Sequence, residues 1–307
     1  MITVVGESLI DIVRRTDGSE TDHLGGSPFN VAIGLARQGA EVALATRVGP
    51  DARGKALLDA LAAEGVALVG EPEGLTRTST ATATLDPEGV ASYDFDLEWD
   101  LAALPLPAGT KALHTGSLGL TISPGAEVVL AAMRQARQHV LVSYDPNARP
   151  KLTPDHGALV RRVEEAVNLA HVVKASEEDV TVLYPGQNYR DVAARWLAGG
   201  TELVVVTRGG DGAWASTKGI SVDLPAPTTR VVDTVGAGDA FMSGLLDALR
   251  RAGLLELPRV PDLPDLSEQE LTALVRSAAT VASLTCEREG ANPPSRAEVE
   301  AALAAAG

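Results

Sequence analysis

The chain has 307 residues, 45% of them hydrophobic, and 26 Lys and Arg face 41 Asp and Glu for a formal net charge of −15. A globular chain of this length buries roughly 75% of the surface its unfolded form exposes, enough for one large α/β domain or two smaller ones. The acidic balance argues against nucleic acid or an anionic membrane as partner, because phosphate backbones need a basic surface, while a phosphorylated small ligand in a local pocket stays open.

"MITVVGESLID" opens as a strand, without the basic and long apolar regions of a secretory signal. No apolar run approaches the ~20 residues that span a bilayer, so the expectation is a cytoplasmic protein. Cys286 is the only cysteine, which rules out an intrachain disulfide, and the five histidines lack zinc-site spacing. After the first strand (2–6), residues 13–26 are polar and turn-rich. Ser27-Pro28 opens a helical pattern that closes at Gly39, and Ala52 to Glu64 forms another that closes at Gly65. Apolar runs at 41–49, 111–116, 139–145, 171–175 and 202–210 read as buried strands. Residues 77–101 alternate polar and apolar around Asp86-Pro87-Glu88-Gly89, a hairpin signal. Thr153-Pro154 predicts a helix start, residues 254–266 a loop, and Ser267…Glu270 and Ser295…Glu298 are capping-box spacings for the last two helices. The alternation predicts an α/β fold with a mostly parallel sheet covered by helices on both faces. Residues 1–307 then form one domain, with a small β lid from about 12–24 and 77–99. Tyr93, Phe95 and Trp99 read as a surface for lid-to-lid packing in a homodimer, and His114 and His171 as core residues.

"RVVDTVGAGDAFMSG" (230–244) puts a glycine turn before an apolar helix, with Asp239 in its first turn. Such a turn presents unpaired N–H groups and partial positive charge to an anion, and glycine lets the backbone approach closely. A carboxylate there either satisfies the helix dipole or accepts a proton beside the anion. The residues alone leave both open.

"GGSPFNVAIGLARQGAEVALATRVGPDARG" (25–54) together with "DTVGAGDAF" (233–241) resembles the two signatures of the ribokinase-like, or PfkB, carbohydrate kinases. "GGSPFNVAIGLAR", "DPNARP" (145–150) and "CEREGANPP" (286–294) are most similar to the fructokinase branch. The resemblance implies a ribokinase-like fold. It makes Asp239 the catalytic base and Gly236, Ala237 and Gly238 an anion hole. It places Asp11, Gly25, Gly26 and Asn30 on sugar hydroxyls, and Thr207, Gly209 and Gly212 of "VVTRGGDGAWA", with Asn292, on the nucleotide. Arg149 is either a buried ion-pair partner or a pocket residue. The family's N-x-x-E motif is here Ser176-Glu177-Glu178-Asp179, so Asp179 would reach magnesium through water or merely begin a solvated helix. Asp233 falls where relatives bind a monovalent cation, which makes potassium a candidate beside ATP and Mg2+.

The implied activity is ATP-dependent phosphorylation of a primary sugar hydroxyl, with fructose the first choice and 2-keto-3-deoxygluconate, through Arg149, the second. A non-catalytic sugar or nucleotide sensor is the rival from another class. A nicotinamide-dependent oxidoreductase needs a glycine fingerprint after the first strand, and "VVGESLID" offers only Gly6.

Overall fold

The computed structural model describes residues 1–85, 91–153, 155–256 and 260–305. Its strands are β1 (Ile2–Val5), β2 (Leu9–Arg14), β3 (Glu20–Gly25), β4 (Val42–Ala45), β5 (Ala67–Leu68), β6 (Thr80–Leu85), β7 (Ala91–Asp96), β8 (Ala112–Gly116), β9 (Leu141–Asp145), β10 (Val172–Ser176), β11 (Leu203–Thr207), β12 (Ala213–Ser216) and β13 (Ser221–Leu224). The helices are α1 (Ser27–Arg37), α2 (Ala52–Ala63), α3 (Gly125–Ala136), α4 (His156–Leu169), α5 (Glu177–Leu183), α6 (Tyr189–Ala198), α7 (Ala237–Arg251), α8 (Glu268–Cys286) and α9 (Arg296–Ala305).

Nine strands form the main sheet in the order β13-β12-β11-β10-β9-β8-β1-β4-β5. β11 through β5 run parallel, and β12 and β13 add an antiparallel edge. Strand pleating divides the core in two, because successive side chains point to opposite faces. In β11, Leu203 and Val205 join the cluster packed with α1, α2, α7 and α8. Val204 and Val206 join the cluster packed with α3, α4 and α6. The chain leaves β1 toward β4 on one side and later returns to place β8 on the other. This reversal makes the crevice between the ends of β1 and β8 the switch point where open α/β sheets hold ligands.

A second sheet, β3-β2-β6-β7, stands off the first. On β2, Ile10 and Ile12 are buried in the main core, so alternation turns Asp11 to the opposite face. Asp11 pairs with His23 on one side and Ala81 on the other, and Ala81 pairs in turn with Phe95. Asp51 fastens this sheet to the body: it caps α2 through the Gly54 N–H (2.8 Å) and accepts from the Thr78 N–H (2.8 Å) and hydroxyl (2.7 Å).

Several expectations change. The helix expected from Thr153-Pro154 begins at His156, where Asp155 caps it by accepting from the Ala158 N–H at 3.0 Å. Residues 260–265, within the expected loop, form a 3-10 turn. Trp99 is no lid residue: it is 2% exposed in the main core, and its indole N–H donates to the Gly119 carbonyl at 3.1 Å. Asp86-Pro87-Glu88-Gly89 and the Tyr93 side chain lie outside the described residues. His114 and His171 are buried in neutral form, bonded to the Ser143 hydroxyl and the Val142 N–H, and burial pushes their pKa values down to about 3 and about 4. The expected capping box at Ser267 forms, and at Ser295 the Glu298 carboxylate accepts from the Ser295 N–H at 2.8 Å and hydroxyl at 2.7 Å. No described helix is long and apolar enough to cross a membrane.

Candidate active site

Two helix N-termini converge on one carboxylate. Gly236 caps α7 with φ 74°, the left-handed region, and a Cβ there would lie 2.5 Å from the Ala291 Cβ, so only glycine fits. The turn places Asp239 at the third helical position, 9% exposed. Its Oδ1 accepts from the Ser27 hydroxyl at 2.6 Å and its Oδ2 from the Asn30 amide at 2.8 Å, both from the first turn of α1. Gly26 caps α1 at φ 104°, where a Cβ would lie 2.5 Å from the Glu7 carbonyl. Burial raises the Asp239 pKa, opposed by Ser27, Asn30, Lys174 and Arg149.

Behind the glycine turn lies a buried ion pair. Lys174 Nζ meets Asp145 Oδ2 at 2.8 Å with both side chains about 5% exposed or less. A Cβ at Gly238 would be 3.0 Å from this ammonium, so the cation faces the turn. Burial works against the Lys174 charge, but Asp145, Asp179 and Asp239 hold its pKa above the ordinary lysine value. Burial pushes Asp145 up to about 6, with Lys174 opposing, so the pair is ionised at neutral pH. Asp179 completes a capping box with Ser176 and also accepts from the Ala148 N–H at 2.7 Å. It is buried, unlike its exposed neighbours Glu177 and Glu178, so the reading of a wholly solvated acidic helix start fails.

Two cavities meet at this carboxylate. The larger, about 690 Å³, runs from Lys174, Asp179 and Gly238 past Thr207, Gly209 and Gly212. Its lining also includes the small apolar side chains Ala226, Val231, Ala279 and Ala282. The smaller, about 170 Å³, is lined by Glu7, Asp11, Gly26, Asn30, Phe95 and Arg149, among others. Asn147, Arg149, Gly236 and Asp239 line both. Burial pushes Asp11 up to about 6, with His23 and Arg149 opposing and Asp239 reinforcing.

The structure therefore brings Asp11, Gly26, Asn30, Arg149, Gly236 and Asp239 to one small cavity. Gly25 sits behind Asp11, where a Cβ would run into the carboxylate. Arg149 is exposed in the pocket, not a buried ion-pair partner. Asn30 spends one amide hydrogen bond on Asp239. Within the glycine turn, the Ala237 N–H bends back to the Thr234 carbonyl at 3.2 Å. Asp233 ties its loop to the next, accepting from the Val235 N–H (3.0 Å) and the Gly290 N–H (2.8 Å). Asn292 is not brought to either cavity; its Oδ1 accepts from Arg37 at 2.6 Å. Sequence reasoning missed Ser27, Glu7 and the Lys174–Asp145 pair. A lysine inside the apolar run "HVVKA" was the available signal, since a buried lysine needs a partner.

Comparison with known proteins fits this geometry. Residues 1–298 match the model for the pfkB family carbohydrate kinases. A fructokinase of Rhizobium leguminosarum bv. trifolii is 35% identical over 277 residues, 86% of this chain and 84% of that protein. The crystal structure of a Xylella fastidiosa fructokinase with bound ATP superposes with a TM-score of 0.88 at 28% identity, covering 99% of this chain and 98% of the other. A Vibrio cholerae fructokinase bound to fructose, ADP and calcium gives 0.79 at 28%, with 99% and 98% covered, and a double mutant of it was solved with fructose, ADP and potassium.

Proposed function

The chain belongs to the pfkB family of carbohydrate kinases, and on that premise we propose that it phosphorylates a primary hydroxyl of fructose with ATP, Asp239 serving as general base. One observation carries the reading: Asp239 and Gly236 line both a small polar cavity and a larger neighbouring one. A sugar in the first and a nucleotide in the second would present hydroxyl and γ-phosphorus to each other across this carboxylate.

The Asp239 oxygens retain lone pairs beyond their bonds to Ser27 and Asn30, so one can accept the attacking hydroxyl's proton. The Gly236 and Gly238 N–H groups and the Lys174 ammonium would hold the charge on the transferring group. Asp11 and Asn30 would bind sugar hydroxyls. The small sheet would act as the lid, bringing Asp11 and Phe95 over the sugar and excluding water from the transfer. No group of three or more acidic, histidine or cysteine side chains forms a metal cage among the described residues. That suits magnesium, which keeps several waters and is held largely by substrate phosphates. Asp179 would contact it through water, because both its oxygens already accept hydrogen bonds from the protein. When bound, magnesium neutralises charge on the β- and γ-phosphoryl oxygens. The potassium ion bound by the Vibrio cholerae double mutant supports a monovalent cation for this chain, with Asp233 its candidate ligand and higher kcat in KCl than in choline chloride the readout.

2-Keto-3-deoxygluconate is the second reading, favoured by the exposed Arg149 guanidinium in the sugar cavity, which could pair bidentately with a carboxylate. ADP release measured over a panel of sugars and sugar acids decides between them. Fructose should give the highest kcat/KM. Asp239→Asn should lower kcat by at least about 10²–10⁴-fold. No ADP release with any sugar would favour the non-catalytic sensor.

A further inference from the structure

Glu7 follows β1 at the switch point and is 5% exposed. It lines the smaller cavity but lies outside the proton transfer described above. Its Oε2 accepts from the Gly119 N–H at 3.0 Å. The Leu118 N–H and the Ser117 hydroxyl also favour the charged form of this carboxylate. These three residues begin the 3-10 turn Ser117–Leu120 that follows β8. Gly119 is held from its other side too, its carbonyl accepting from the Trp99 indole. Ser117 has φ 51°, a left-handed conformation unfavourable for serine that persists only where surrounding contacts impose it. Ser117 and Leu118 are the residues this turn contributes to the cavity wall.

We propose that Glu7 is a positioning residue for the acceptor sugar, its buried carboxylate holding the Ser117–Leu120 turn so that this turn forms one wall of the sugar cavity. The proposal rests on assigning the smaller cavity to the sugar. The ionised carboxylate accepts from the Gly119 N–H and attracts the Ser117 and Leu118 donors, whereas protonation weakens its hold on all three. Burial pushes the Glu7 pKa up to about 7, against the pull of its own N–H, Ser117, Gly119 and Leu118. Sugar affinity should therefore weaken as pH falls through that value. The charged groups facing the same cavity are Asp11 from β2, Asp239 from α7 and Arg149 from the segment after β9.

Glu7→Gln in the full chain keeps size and removes an acceptor. Steady-state assays over about pH 5.5–9 should show sugar KM raised about tenfold or more above pH 8, with ATP KM within about twofold of wild type. The wild-type rise in sugar KM centred near pH 7 should be lost in Glu7→Gln, leaving only the lower limb contributed by Asp11. Ser117→Ala, which removes a donor that favours the ionised form, should move that rise to higher pH. It also serves if Glu7→Gln does not fold. Unchanged sugar KM and pH profile in Glu7→Gln, or an unmoved limb in Ser117→Ala, overturns the proposal while leaving the kinase reading intact. A wild-type protein that releases no ADP with any sugar overturns the cavity assignment and this proposal with it.

Discussion

Ser27→Ala tests the tuning of the proposed base without touching the proton acceptor itself. The serine hydroxyl donates to Asp239 Oδ1 at 2.6 Å in a buried setting, and the methyl that replaces it leaves the α1 backbone in place. A hydrogen bond to a charged group contributes about 1.5–3 kcal/mol, and one pKa unit corresponds to about 1.36 kcal/mol. Losing it should raise the Asp239 pKa by about one to two units. The acid limb of kcat, measured at saturating sugar and ATP from about pH 5 to 9, should shift upward by that amount, with the alkaline plateau kept within about threefold. Stability carries a matching signature. Asp239 already has a pKa raised by burial, so its contribution is fully present below the unfolded-state value and is lost as pH rises through the folded one. Ser27→Ala enlarges that loss, so its deficit in thermal midpoint should grow from acid to alkaline pH. An acid limb that stays put in a folded variant would refute both the hydrogen bond and the role of Asp239.

Lys174→Met leaves Asp145 buried without its partner and should lower unfolding free energy by about 3–5 kcal/mol in urea titrations, with a raised KM for ATP. Undiminished stability would mean that the pair is not buried in solution. Gly236→Ala forces a left-handed alanine whose methyl meets Ala291, and kcat should fall at least about tenfold by ADP assay because the anion turn must shift. Arg149→Ala should change kcat/KM for fructose little if fructose is the acceptor and collapse that for a sugar acid by about 100-fold or more if the sugar acid is.

Much of this architecture could be read from residue order. The five-residue apolar runs became the parallel strands because a strand covered on both faces has no solvent side to mark with polar residues. Asp239 and its glycine turn were legible because a helix N-terminus is a local feature. What escaped was mostly non-local. Ser27 and Asn30 reach Asp239 across 212 and 209 residues, and Lys174 meets Asp145 across 29, separations at which spacing carries no information. Trp99 looked like a lid aromatic because alternation does not say where a strand ends, and the chain re-enters the core just after Asp96. Asp155 displaced Thr153-Pro154 as a helix start because an aspartate side chain satisfies a first-turn N–H, which proline at the helix entrance does not. Asn292 was assigned by proximity to a motif, and the Arg37 guanidinium claimed its amide instead.

Asp11 belongs to a strand of the outlying sheet, whereas Asp239 belongs to a helix of the main body. A molecule gripped by both would be a strut between the outlying sheet and the main body. Shortening that strut by one hydroxyl would misalign the reacting ends as well as loosen the grip, so clipped acceptor analogues should suffer in turnover number and not in affinity alone.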